Sequence, residues 1–160
     1  MTAPLARLTG PADGVVLRRA TAADLPTIVA LLADDPLGAT REAADLAPYE
    51  AAFAAVDADP AHVLVVADDG GTVVGTLQLS FVPGLSRRGA LRAQVEGVRV
   101  AAAARGRGLG AALLRWTVEE ARRRGAALVQ LTTDKRRPDA HRFYERLGFT
   151  ASHEGMKLEV

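Results

Sequence analysis

Cysteine is absent from this chain, which excludes disulfides, thiolate nucleophiles and cysteine-ligated metals. The three histidines, His62, His141 and His153, stand at spacings that match no metal motif, so no metal site is expected. Long apolar runs are also missing. Charges interrupt every hydrophobic stretch well before the roughly 18 residues that a membrane span needs, and Met1–Gly14 carries no apolar core of a signal peptide. A cytoplasmic location is the expectation, with no membrane partner. A strong charge of one sign is lacking too: 20 Lys and Arg against 19 Asp and Glu give a net charge of +1, which removes any global electrostatic case for nucleic acid.

What remains is an ordinary globular composition, 49% hydrophobic and 24% charged. At 160 residues the chain has the length of one domain and buries on the order of 70% of its unfolded surface. Residues 1–14, with Pro4, Gly10, Pro11 and Gly14, read as a loose tail, and residues 15–160 as the domain.

The chain alternates strands and helices. Val15–Arg18 reads as a strand, and Thr21 with Asp24 opens a helix whose apolar positions Leu25, Ile28, Val29 and Leu32 recur at helical spacing. After the break at Asp34-Asp35-Pro36, Leu46, Tyr49, Phe53 and Val56 predict a second helix that begins near Thr40 and ends before Pro60. Val63–Ala67 and the alternating Val73, Gly75, Leu77, Leu79 and Phe81 form a hairpin about Gly70-Gly71. Beyond the Pro83–Gly89 loop, Leu91, Ala93 and Val95 alternate at odd positions, whereas Val98 and Val100 alternate at even ones. A strand changes faces in this way when one residue is inserted, so a β-bulge is predicted at Glu96-Gly97. A helix with Leu109, Leu113 and Trp116 on one face then closes at Arg122–Gly125. Leu128–Thr133 is a strand parallel to the bulged one. Pro138–Leu147 is a short helix closed by Gly148, and Phe149–Ser152 and Met156–Val160 are read as final strands. The sum is a mixed α/β sheet of about seven strands flanked by about four helices.

Arg105-Gly106-Arg107-Gly108-Leu109-Gly110-Ala111 lies between the bulged strand and the next helix. Glycines there let backbone N–H groups approach a phosphate, and the helix start adds positive potential. Gly106, Gly108 and Ala111 also satisfy the dinucleotide pattern G-x-G-x-x-A, with Asp134 at the end of the next strand, so an NADP-type binder stays open. No Gly-Lys-Ser/Thr follows, which excludes a Walker A loop.

These residues resemble the GNAT superfamily of acetyl-CoA-dependent N-acetyltransferases. Arg105, Gly108 and Gly110 match its Q/R-x-x-G-x-G/A loop, placed after the bulged Val95–Val100 strand. Ala140-His141-Arg142-Phe143-Tyr144-Glu145-Arg146-Leu147-Gly148-Phe149 resembles its A-x-x-F-Y-x-x-L-G-F block, in family order and at family spacing. The element order from Val15 to Val160 follows the family as well. The resemblance implies that pantetheine enters between the bulged strand and its parallel neighbour, pairing with the backbone of Val98–Val100 (Val98, Arg99, Val100). The pyrophosphate would rest on Arg105, Gly106, Arg107, Gly108, Leu109, Gly110 and Ala111. It implies acetyl transfer within a ternary complex, without an acyl-enzyme.

A primary amine with a pKa of about 10 must lose a proton before it attacks a thioester, and Glu96 is the candidate base. The thiolate leaving group, whose parent pKa is about 8.5, needs a proton in return, and Tyr144 is the candidate acid, with the Val98 N–H steadying the oxyanion. The alternatives are a solvated strand carboxylate at Glu96, an aromatic that only packs beside Phe143 and Leu147 at Tyr144, and His141 or His153 as the base; His62 reads as structural. The family often has Asn three residues before the alanine of its second block; here Arg137 stands there, within the cluster Lys135-Arg136-Arg137. The acceptor is an amine of a small molecule or a peptide. Glu42, Asp45 and Glu50 suit a cationic acceptor, and Arg87 and Arg88 an acidic one. Family members often form homodimers, and no exposed apolar stripe in this sequence decides the point. A non-catalytic acyl-CoA-binding module is the alternative to an enzyme.

Overall fold

The computed structural model describes residues 3–34 and 38–160, so the first two residues of the expected tail and the Asp35-Pro36 part of the expected break lie outside it. The chain forms two compact units, Met1–Gln130 and Leu131–Val160.

The sheet has six strands in sequential order, β1 (Pro4–Arg7), β2 (Val15–Arg19), β3 (His62–Asp69), β4 (Thr72–Val82), β5 (Arg92–Val100) and β6 (Leu128–Leu131). The pairings from β1 to β5 are antiparallel. At β6 the direction changes: the Ala127 N–H donates to Leu91 O at 2.8 Å and Gln130 Nε2 to Gln94 Oε1 at 2.7 Å. Both contacts advance along the two segments in the same sense, which is parallel register. This mixed sheet excludes the all-parallel arrangement of a dinucleotide fold. Residues read as a loose tail instead supply β1 and bury Leu8 and Ala12. That stretch has too few apolar positions to show a period of its own, and the Leu8 N–H bond to Val15 O ties it to β2.

Helix α1 (Leu25–Ala33) starts where expected, the Asp24 carboxylate accepting from the Thr21 N–H at 2.7 Å and from its hydroxyl at 2.9 Å. Helix α2 spans Ala47–Ala58, later than the expected start near Thr40, where a short 3-10 turn, Gly38–Thr40, stands instead. Gly70 and Gly71 both take positive φ, 60° and 95°, in the two-residue turn joining β3 to β4. Ser86–Gly89 forms a single turn, α3, in which Arg87 and Arg88 are left-handed.

The centre of one face of the sheet is apolar. Val63, Val65, Leu77, Leu79, Ala93 and Val95 are at most 2% exposed and lie under α4 (Leu109–Arg123), whose Leu113 and Leu114 are equally buried. Each such Val or Leu side chain contributes about 1.5–3 kcal/mol by burial. The opposite face carries α1 and α2 over Val66, with Ala20, Ile28, Leu32, Phe53 and Leu64 packed around it. At its margin Arg18 forms a forked bond to Asp24, at 2.8 and 2.9 Å, and reaches Asp68 at 2.9 Å. The Arg18 guanidinium holds the Asp24 carboxyl down to about 2.

The second unit holds α5 (Pro138–Arg146) and the segment that follows. The expected strands at Phe149–Ser152 and Met156–Val160 do not form. The Gly148 N–H bonds Glu145 O at 2.9 Å and the Phe149 N–H bonds Tyr144 O at 3.1 Å, the two bonds of a Schellman cap, so the Phe149 amide is committed to closing the helix. Met156 and Leu158 are 95% and 88% exposed: the alternation is present, but neither residue is buried.

Candidate active site

The predicted bulge is present. Thr76 pairs with Arg99 and Gln78 with Glu96, so β5 spends one more residue than β4 between these pairs, and Gly97 takes φ 59° to allow it. The insertion returns Val100, opposite Gly75, to the apolar face. Glu96, opposite Gln78, is left exposed on the other face. Among the described residues, the Glu96 carboxylate has no hydrogen-bond or ion-pair partner. β6 ends at Leu131, whereas β5 continues through Val98 and Arg99 to Val100, beyond the side-chain bond that joins Gln94 to Gln130.

β5 leads through a 3-10 turn, Ala102–Ala104, into the glycine-rich loop. Gly106 and Gly108 both have positive φ, 78° and 70°, a conformation that favours glycine. Gly108 is the N-cap of α4 and makes no side-chain cap bond, so Leu109, Gly110 and Ala111 open a helix of 15 residues with their N–H groups outside its internal bonding. Such a terminus concentrates donors and positive potential, which suits an anionic diphosphate.

The loop arginines have protein partners that the sequence did not reveal. Arg105 Nη2 donates to Asp34 Oδ2 at 2.7 Å and its Nε to Val100 O at 3.1 Å, while Arg107 Nη1 donates to Asp69 Oδ2 at 3.3 Å. Both pairs are about half exposed, and such pairs contribute about 0–1 kcal/mol, little enough for a phosphate to compete with the carboxylates. Asp34 stands 71 residues from Arg105, so no local pattern joins them.

Sequence reading also missed a polar row on the Glu96 face. His62 pairs with Ser80 and Ser80 with Gln94 across the strands. His62 Nδ1 lies 2.8 Å from Ser80 Oγ, and Gln78 Nε2 donates to the same oxygen at 3.4 Å. The available signal was the even-numbered polar set Thr76, Gln78 and Ser80 within the hairpin alternation. His62, taken as structural, is half-buried beside Asp59, at 3.8 Å.

Tyr144 belongs to the second unit, in α5, where its ring meets those of Phe143 and Phe149 edge-on with centroids 5.2 and 5.9 Å away. His141 Nε2 lies 3.1 Å from Asp134 O, and His153 Nδ1 lies 2.8 Å from Ser152 Oγ. Arg136 forks onto Asp134, Lys135 pairs with Glu154, and Arg137 serves as the N-cap residue of α5. Of the acids near α2, Glu42 accepts from the Tyr49 hydroxyl at 2.7 Å and Asp45 from the Ala47 N–H at 3.1 Å, both local structural uses. Among the described residues, no cluster of three or more His, Asp or Glu forms a metal site, and no helix is long and apolar enough to cross a membrane.

The profile described as "Acetyltransferase (GNAT) family" matches residues 26–149, a span that includes the bulge, the loop and α5. The chain belongs to the GNAT acetyltransferase family. It is an acetyl-CoA-dependent N-acetyltransferase. Aminoalkylphosphonate N-acetyltransferase of Salmonella typhimurium (strain LT2) is 34% identical over 137 residues, 86% of each chain. Glucosamine 6-phosphate N-acetyltransferase of Trypanosoma brucei brucei is 36% identical over 91 residues, 56% of this chain and 59% of its own. The crystal structure of a transcriptional regulator from Bacillus halodurans C-125 superposes with a TM-score of 0.88 at 49% identity, covering 91% of this chain and 99% of that one. The GNAT fold is thus reproduced with six strands where about seven were expected.

Proposed function

We propose that this GNAT enzyme moves the acetyl group of acetyl-CoA directly to the primary amine of a small molecule that also bears a phosphate or phosphonate. The observation that carries the donor half is the bulged β5, which runs past β6 into the loop at the start of α4. In this reading the backbone of Val98, Arg99 and Val100 pairs with pantetheine, and Arg105, Gly106, Arg107, Gly108, Leu109, Gly110 and Ala111 hold the diphosphate. The acceptor half is supported by the two curated relatives, whose names both describe amines carrying phosphorus oxyanions. Arg87 and Arg88, exposed in the turn between β4 and β5, are the candidate partners of that oxyanion.

The chemistry follows from the groups available. The acceptor ammonium gives a proton to Glu96 through water, its nitrogen lone pair forms the C–N bond at the thioester carbon, and the C–S bond breaks. Tyr144 supplies the proton that the departing thiolate takes up, and its phenolate recovers one from the nitrogen, which sheds its second proton as the amide forms. The test begins with thermal stability in acetyl-CoA and in NADPH. Saturation at 100 times the dissociation constant adds about 2.7 kcal/mol, or about 5–10 °C, and is expected with acetyl-CoA alone. CoA release is then measured over aminoalkylphosphonates, amino-sugar phosphates and the same amines without the oxyanion. The oxyanion-bearing amines are expected to be preferred, and indifference to the oxyanion would refute the acceptor class. Tyr144→Phe is expected to lower turnover by about one to three decades with little change in stability. Glu96→Gln should lower the rate at neutral pH, with partial recovery as the pH rises and the amine deprotonates unaided.

A further inference from the structure

We propose that Gln78 binds the acceptor amine and that Ser80 and His62 are positioning residues that hold its side-chain amide. The inference rests on the proposed function. On the Glu96 face, β3 presents the apolar Leu64 and Val66, packed under α1 and α2. One strand further on, the same face turns polar: Gln78 pairs with Leu64 on one side and Glu96 on the other, and Ser80 with His62 and Gln94. Ser80 is only 6% exposed, so its hydroxyl needs partners, and it has two in His62 Nδ1 at 2.8 Å and Gln78 Nε2 at 3.4 Å.

The chain of bonds has a direction. In the tautomer with its ring proton on Nε2, His62 accepts from the Ser80 hydroxyl through Nδ1, 2.8 Å away. Ser80 Oγ in turn accepts from Gln78 Nε2. The amide is thereby oriented with Oε1 as its remaining end, an acceptor with no protein partner among the described residues. Directly across the strand pair stands the equally unpartnered Glu96 carboxylate. Two acceptors side by side suit a primary ammonium, which gives one N–H to the base through water and another to Gln78 Oε1, so that its lone pair emerges in a set direction. This is a requirement for an amine donor and would be met by no hydroxyl-only acceptor.

The experiment measures KM for the amine and for acetyl-CoA separately, with the acetyl-CoA thermal shift as the check on folding. Gln78→Leu should raise the amine KM about tenfold while the acetyl-CoA KM and shift stay at the wild-type values. Ser80→Ala should raise the amine KM in the same sense by less. His62→Ala should do likewise, and His62→Asn, which keeps an acceptor in place of Nδ1, should restore it. An unchanged amine KM in Gln78→Leu overturns the inference. If Gln78→Leu does not fold, the His62 pair decides: equal effects of Ala and Asn overturn the inference, and rescue by Asn supports it. A wild type that binds acetyl-CoA and acetylates no amine overturns the proposed function, and this inference with it.

Discussion

Leu77 and Gln78 are adjacent in β4 and belong to different environments. Leu77 faces α4 among side chains that are nearly all aliphatic and fully buried, whereas Gln78 faces Glu96 in a half-buried row of hydrogen-bonding groups. The same strands thus serve burial on one face and chemistry on the other. The division is sharpest where β5 would break it. Without the extra residue at Gly97, either Val98 and Val100 would leave the apolar face or Glu96 would enter it; the bulge keeps the valines with Gly75 and leaves the carboxylate beside Gln78. The polar face is not uniform either. Near β2 its charges are consumed by structure, in the Arg18, Asp24 and Asp68 network, whereas the Glu96 carboxylate on β5 has no hydrogen-bond or ion-pair partner among the described residues.

Deleting mass from the apolar face should break this comparison most visibly. Leu113→Ala is expected to cost about 2–5 kcal/mol, seen as a lower denaturation midpoint, because the side chain is fully buried and packs against Gly75. If the face is as specialised as it looks, the folded variant should keep its acetyl-CoA KM. The structural part of the polar face should show itself in acid. Arg18 lowers the Asp24 carboxyl from 3.8 to about 2, so its contribution, on the order of 2 kcal/mol, is fully present above pH 4 and lost as the pH falls through about 2. In Asp24→Asn that part of the acid sensitivity should vanish from urea titrations between pH 4 and 2, and an unchanged profile would assign it to other carboxylates. The smallest effect on folding is expected at the loop. Arg107→Gln removes a half-exposed pair with Asp69 and should alter stability by at most about 0.5 kcal/mol, yet raise the acetyl-CoA KM several-fold. A stability loss without a change in acetyl-CoA KM would make Arg107 a structural residue.

Legibility followed the range of the interactions. The parity change across Glu96-Gly97 revealed the bulge because side-chain direction in a strand depends only on position along the chain. Gly125 and Gly148 were readable as helix ends for a similar reason: each cap is made within six residues, the Gly125 N–H bonding Arg122 O at 3.0 Å and the Ala126 N–H bonding Ala121 O at 2.9 Å. The glycine-rich loop carried its chemistry in its composition. Residues 3–14 and 149–160 were misread because pairing depends on a partner that local pattern does not contain: Pro4–Arg7 pairs with β2, and Met156–Val160, with the better alternation, forms no strand.

The sequence by itself set the order of the main elements between Val15 and Leu147, the bulge, the helix caps and the loop of glycines and arginines, since each rests on backbone geometry or on contacts only a few residues apart. Tertiary structure alone decided that Arg105 meets Asp34, that His62 meets Ser80, and that Gln78 lies opposite Glu96. Those pairings join residues 71, 18 and 18 positions apart, and only closure of the sheet and helices brings their side chains within hydrogen-bonding or cross-strand reach.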